Sequence, residues 1–338
     1  METKAINTKL KGHARVDVAD VLRGLAVMGI IILHSIEHFN FYSFPDTAGQ
    51  SAWLNFSDKA IWNGLFFMFG GKAYAIFALL FGFSFFIQDD NQRLRGNDFR
   101  LRFCWRLILL FLIGNINASF FTAEVLVLYS LVGFILPLTC RLKDKWIFAL
   151  ACLLLIQPLP LYYVIRACLD PEFVTPAIPT RSFWNATFAV QSNGNFLETI
   201  RVNLWEGQLA SLAWAWDHGR GFQTALFLLG MLIGRKGLFL KEHLKVWNKV
   251  LAGSLISFFP LYGLGNMLPD FITNKSILTP LSLIITSLSN FAFMLILVSG
   301  VVFAFYKTNL HDGLMKITPY GKMSLTNYIT QSIVGSML

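Results

Sequence analysis

RVDVADVLRGLAVMGIIILHSIEHF, residues 15–39, is the stretch from which the fold is read. An acid and an arginine, Asp20 and Arg23, stand where an apolar run opens. No charge falls between Gly24 and Leu33, and the run closes on His34, Glu37 and His38. A helix rises 1.5 Å per residue, so Arg23 and His34 lie about 16 Å apart along it. Eleven steps of about 100° return the two to within roughly 20° of one face. One stripe therefore carries Arg23, Val27, Ile30, Ile31, His34 and His38. Polar groups inside a membrane span are costly, so they are expected to face a polar lumen.

The composition extends this reading to the whole chain. Of 338 residues, 55% are hydrophobic and only 14% charged, against a usual ~25%. Apolar segments near 20 residues recur throughout. They predict an all-α polytopic membrane protein, a bundle of about 9–10 transmembrane helices with a polar central cavity. The net charge of +9 sits in short loops between apolar runs, which the positive-inside rule explains without any nucleic-acid partner. Cysteines 104, 140, 152 and 168 show no metal-ligand spacing and no disulfide framework, so no metal is expected. The N-terminus has a basic region and an apolar region but no small-residue cleavage site, and reads as an uncleaved first span.

Charge then orients the segments. Lys4, Lys9, Lys11 and Arg15 place the N-terminus in the cytoplasm. The first span covers about 22–39, residues 40–60 read as an external loop, and a span at 61–87 carries Gly70-Gly71-Lys72 near its middle. QDDNQRLRGNDFRLR (88–102), with Arg106 just beyond, reads as cytoplasmic. Spans follow at 103–121, 125–140 and 146–166. Residues 167–217 form a large external segment punctuated by Pro171, Pro176 and Pro179, and its later part reads as an interfacial or re-entrant helix. Further spans fall at 220–234, 250–267 and 280–306, with basic segments between them, and a ninth begins near Gly321. The expectation is a single integral membrane domain over 1–338, multi-pass in a bacterial cytoplasmic (inner) membrane.

The spacing D-x-x-R-G-x-A with a histidine eleven residues after the arginine resembles the first helix of acyltransferase-3 membrane O-acyltransferases. It is carried here by Asp20, Arg23, Gly24, Ala26 and His34. Heparan-glucosaminide N-acetyltransferases and the YeiB-like family open similarly, though YeiB-like chains usually have asparagine in place of His34. Further segments resemble the YeiB-like family in order: KAYAIFALLFGFSF (72–85), RLILLFLIGNINA (106–118), EVLVLYSLVG (124–133), LFLLGMLIGRKG (226–237) and GKMSLTNYITQS (321–332). Two positions depart from it, with Asn117 in place of a histidine and Glu124 in place of an aspartate. YeiB-like chains generally continue beyond the point reached here. The resemblance implies acyl transfer with His34 as the catalytic histidine.

Each candidate residue carries two readings. His34 is either a general base or acyl carrier, or a histidine buried between helices. Glu37 and His38, one turn on, either orient it or are solvated helix-end groups. Lys72 is an oxyanion or phosphate contact, or a structural partner of Glu124. Arg23, paired with Asp20, binds a donor phosphate or anchors the helix at the interface. Arg93, Arg95, Arg100, Arg102 and Arg106 bind the polyphosphate of coenzyme A or mark a cytoplasmic loop. Asn115, Asn117, Asn327 and Gln331 make interhelical hydrogen bonds or contact the acceptor. The segment DHGRGF (217–222) joins the outer mouth or forms a loop bend.

The leading function is transfer of an acyl group from cytoplasmic acyl-CoA, acetyl-CoA among them, to a hydroxyl or amine of a cell-envelope glycan or lipid acceptor outside. A shaft from Arg23 to His34 would hold the pantetheine arm, and Lys72 or an asparagine would stabilise the oxyanion. A proton-coupled transporter of a small polar or lipid-linked solute is the alternative, with His34, Glu37 and Lys72 as relay groups. A catalytically silent scaffold is the third. The bilayer is the expected partner, and an oligomer is compatible with the sequence.

Overall fold

The computed structural model describes residues 16–39, 48–122 and 124–337, and these are helical throughout with no strand among them. Among the described residues, five helical segments are long and apolar enough to cross a bilayer, and six when one bent pair is taken as a single span. The chain is an all-α polytopic membrane protein. The number of full-length crossings is smaller than the number of apolar runs because several runs fold as short or broken helices.

Helix α1 is Asp17–Phe39. Residues 52–60, expected in a loop, are instead the start of α2 (Ala52–Phe69), whose cap is Ser51 accepting from the Leu54 amide. The expected span at 61–87 breaks at Gly70-Gly71-Lys72 and resumes as α3 (Ala73–Leu94). Gly71 has φ +76°, and a Cβ there would lie 2.6 Å from the Asn290 amide nitrogen, so only glycine fits the break. Helix α4 is Arg100–Ala118, followed by the short pair α5 (Leu126–Val132) and α6 (Ile135–Thr139). The expected span at 146–166 divides into α7 (Asp144–Leu155) and α8 (Pro158–Leu169), bent by 47°. The bend is Gln157, at φ 55° immediately before Pro158, where the proline ring disfavours helical backbone in its predecessor.

Residues 180–217 form α9 (Thr180–Asn193), α10 (Phe196–Val202), a π-helical turn and α11 (Gln208–Asp217). Then come α12 (Gln223–Arg235), α13 (Leu244–Phe271) and α14 (Lys275–Lys307). Short helices α15 (His311–Met315) and α16 (Thr318–Lys322) lead to α17 (Ser324–Met337).

The packing is closest where glycine admits backbone. A Cβ on Gly82 of α3 would stand 1.9 Å from the Phe227 carbonyl oxygen, and one on Gly230 of α12 would stand 1.8 Å from that of Leu79. Without a hydrophobic drive between helices in lipid, such small-residue crossings supply the van der Waals contact that holds them. Phe81, Tyr129 and Phe227 close the centre, with Phe81 and Phe227 ring centroids 4.9 Å apart.

The bundle has two chemically distinct ends. At one, Arg141 pairs with Asp89 at 3.2 Å, and Arg235 donates to Asp144 at 2.8 Å and to the Leu142 carbonyl at 2.9 Å. At the other, α9 to α11 bring Trp184 and Trp214 over the ends of α1 and α3. We refer to these as the arginine end and the tryptophan end.

Candidate functional site

The sequence places ionisable groups at the close of α1, and the fold gathers others around them. A cavity of about 830 Å³ lies beneath α9 and α11, walled by α1, α2, α3 and α14. His34, Glu37 and Glu124 line it, as do Asp217, His218 and Arg220.

His34 is held from the far end of the chain. The Gln331 side-chain nitrogen on α17 is 3.0 Å from His34 Nδ1, and the Phe121 ring centroid is 4.6 Å from that of His34. With the amide nitrogen on Nδ1, the imidazole proton sits on Nε2. Turning the amide over puts its oxygen on Nδ1–H instead and leaves the Nε2 lone pair to act as a base. One glutamine thus serves both tautomers.

Glu124 and Asn117, the two departures from the resembled family, meet at the cavity wall. The Asn117 amide donates to the Glu124 carboxylate, which also accepts from the Leu126 backbone N–H. Glu124 occupies the turn between α4 and α5, and burial pushes its carboxyl up to about 7, against the opposing pull of these hydrogen bonds. Behind it, Thr122 and Gln191 both donate to the Asn203 side-chain oxygen, at 3.1 and 2.9 Å. That cluster fastens the 180–217 segment over the cavity, a role no single residue of it advertises in the sequence.

Arg220 is the principal group that sequence reasoning left in a loop bend. Its guanidinium carbon lies 3.2 Å from the Tyr74 ring centroid and 4.5 Å from that of Trp214, so it packs against two aromatic rings. Trp214 in turn stacks on His218, whose Nδ1 is 2.9 Å from the Trp214 carbonyl. Glu37 acts on Arg220 through its charge. The available signal was the DHGRGF segment itself, three polar side chains shortly before an apolar run.

Other expected residues lie elsewhere. Arg23 pairs with Asp20 at 2.6 Å and donates to Ser84 at 2.8 Å, outside the cavity lining. The expected shaft from Arg23 to His34 is therefore corrected: the cavity extends from His34 the opposite way, towards Arg220. Lys72 is buried but turned off the cavity, its ammonium 5.5 Å from the Phe67 and Phe293 rings, and it does not pair with Glu124. Asn327 donates to the Tyr320 carbonyl as a local backbone contact. Asn115 donates to the Phe111 carbonyl and accepts from the Gln208 side chain of α11 at 3.5 Å, an interhelical hydrogen bond. The side chain of His38 falls outside the described residues. Among the described residues no group of histidine, cysteine and acidic side chains is disposed to hold a metal.

At the arginine end, Arg95, Arg102 and Arg106 share a groove of about 380 Å³ with Gln88 and Gln92. Arg100 is committed to Asp98, and Arg93 stands outside the groove.

These features define an integral membrane protein with a polar, aromatic-walled cavity at one end and a basic groove at the other. Residues 233–338 match the family model described as "Protein of unknown function (DUF418)", a family of the YeiB-like kind. The chain is 26% identical over 95% of its length to the uncharacterized protein YxaH of Bacillus subtilis, covering 81% of that protein. It is also 26% identical, over 42% of its length, to an uncharacterized 39.9 kDa protein in the amylase 3' region of Bacillus acidopullulyticus, covering 39% of it. No solved structure matches. The likeness to acyltransferase-3 enzymes stays with the motif in α1.

Proposed function

We propose that this chain is a membrane acyltransferase that moves an acyl group from acyl-CoA to a hydroxyl or amine held in the tryptophan-end cavity. The observation that carries this reading is His34 at the cavity wall, its Nδ1 held at 3.0 Å by Gln331. A base needs one ring nitrogen fixed and the other turned to the reacting proton, and this pair supplies both. The acceptor O–H or N–H gives its proton to Nε2 as its heteroatom bonds to the thioester carbonyl. The C–S bond then breaks, and the thiolate leaves and takes up the proton. Glu124, held by the Asn117 amide behind it, contacts the acceptor on the facing wall.

The basic groove of Arg95, Arg102 and Arg106 is the proposed seat of the coenzyme A phosphates. Tyr74 at the cavity and Gln88 at the groove are fourteen residues apart on α3, or about 21 Å. The donor's arm would have to cross that depth past the closed layer of Phe81, Tyr129 and Phe227. In this reading the groove faces the cytoplasm of a bacterial inner membrane and the cavity faces outward.

The helix break at Gly70-Gly71 favours a second reading, transport of a small polar or lipid-linked solute. Discontinuous helices whose ends face a mid-membrane site are characteristic of secondary transporters. One experiment separates the two. Purified protein in neutral detergent is titrated with acetyl-CoA and longer acyl-CoAs, and thiol release is followed with wild type and His34→Asn. Acyl transfer requires acyl-CoA binding that weakens when Arg102 and Arg106 are both changed to Gln. It also requires a folded His34→Asn variant slower by about 10²–10⁴-fold. Absence of binding across the acyl-CoA series favours the transporter.

A further inference from the structure

We propose that the tryptophan-end cavity contains an anion subsite, built from Arg220 and the opening turn of α3, that takes the phosphate of an amphipathic acceptor. This rests on the reading of the cavity as the acceptor chamber.

The stacking of Arg220 is the first reason. The Tyr74 and Trp214 ring centroids lie 3.2 and 4.5 Å from the guanidinium carbon, and the Tyr74 side chain also hydrogen-bonds it. A guanidinium carries five N–H donors in its plane, so packing against aromatic rings and one hydrogen bond leave donors for a ligand. No carboxylate of the described residues pairs with Arg220 within 4 Å. The charged and titratable groups that share its cavity are Glu37, Glu124, Asp217, His34 and His218. Asp217 accepts from the Thr180 hydroxyl, and Glu124 from Asn117 and Leu126.

The second reason is the position of α3. Tyr74 is the second residue of that 22-residue helix, so Arg220 sits against its N-terminal pole. Helix N-termini carry partial positive charge and favour anions, and an arginine at that pole is the opposite of what the macrodipole rewards. Glu37 offsets part of this positive field through its charge, and an anion held between the arginine and the helix pole would offset more of it. The glycine break is what brings this pole to the cavity instead of burying it in a continuous helix.

The rest of the wall narrows the ligand class. Thr279, Ser282, Thr286 and Ser287 of α14 present hydroxyls along one side, and Trp62 and Trp184 present aromatic faces. About 830 Å³ is ample for a phosphate-bearing head group with some apolar attachment. Phosphate on a lipid head group and phosphate on a soluble polyol share this chemistry, and the test distinguishes them.

The protein is held in neutral maltoside detergent with Arg102→Gln and Arg106→Gln as background, so that the basic groove contributes little. Tryptophan fluorescence, to which the cavity residues Trp62, Trp184 and Trp214 contribute among nine tryptophans, is titrated with inorganic phosphate, glycerol 3-phosphate and dihexanoyl phosphatidylglycerol. Saturable binding of all three is expected, at least tenfold tighter for one of the two organic phosphates than for phosphate itself. The tighter of those two identifies a soluble or a lipid source. Arg220→Gln should weaken binding at least tenfold, and Glu37→Gln, which removes a competing charge, should tighten it. Binding is read without acyl-CoA, so failed catalysis leaves this inference standing and failed binding leaves the base assignment standing. Equal binding by Arg220→Gln, or no binding of any of the three, overturns the subsite. If Arg220→Gln does not fold, a Glu37→Gln variant without tighter binding overturns it instead.

Discussion

Glu124 shows how far a single residue's chemistry follows from its place. It is almost fully buried at the cavity, and its carboxyl is raised from 4.5 to about 7 by loss of solvent. The folded state therefore prefers the protonated acid. Relative to the unfolded chain, stability is highest below 4.5, falls as pH rises through the interval, and levels off above about 7. The difference is on the order of 3 kcal/mol. Glu124→Gln should melt at nearly the same temperature at pH 5 and pH 8, whereas wild type should melt lower at pH 8. Parallel curves for the two proteins would refute this. His34, Glu37 and Glu124 were visible in the sequence because an ionisable group inside an apolar run has few structural excuses. Gln331 was legible as an interhelical hydrogen-bonding group, though not its partnership with His34. Arg220 was not legible, because an arginine in a loop is ordinary until the fold brings it to the cavity.

At the level of elements, the crossing of α3 and α12 depends on two glycines facing each other's backbone. Gly82→Ala places a methyl group 1.9 Å from the Phe227 carbonyl oxygen, which the helices relieve only by separating. A cost of about 1–3 kcal/mol is expected, read as a lower melting temperature in detergent. Gly253→Ala on α13, where a Cβ meets nothing within 4 Å, should be neutral or slightly stabilising. Equal melting of the two variants would remove the crossing as a stabilising contact. Long uninterrupted runs such as α14 were legible from hydropathy alone. The breaks were harder. Gly70-Gly71 was seen as a feature but placed within one span. Gln157, at φ 55°, gave no warning beyond the proline after it. Ser57, Asp58 and Lys59 made the first half of α2 look like loop, though Ser51 is an effective cap.

For the whole molecule, the asymmetry between ends carries the topology. In the proposed orientation the arginine end lies in the cytoplasm, following the excess of basic residues there. A cysteine at Gly96, in an otherwise cysteine-free protein, should react with a membrane-impermeant maleimide only after the cells are opened. One at Asn193, in the 180–217 segment, should react in intact cells. Reaction of the Gly96 position in intact cells would invert the orientation and exchange the roles of cavity and groove. The class of fold was readable from composition because apolar length has one solution in a bilayer. The direction of the cavity was not, since a helical stripe from Arg23 to His34 fixes a line but not which end of it the neighbouring helices leave open.

The contact between Gln331 and His34 joins residues 297 positions apart. It therefore has a consequence in time as well as in space. During synthesis α1 enters the membrane early, and its histidine meets Gln331 only when α17 docks beside it. A polypeptide halted before that helix would hold His34 in the bilayer without this contact.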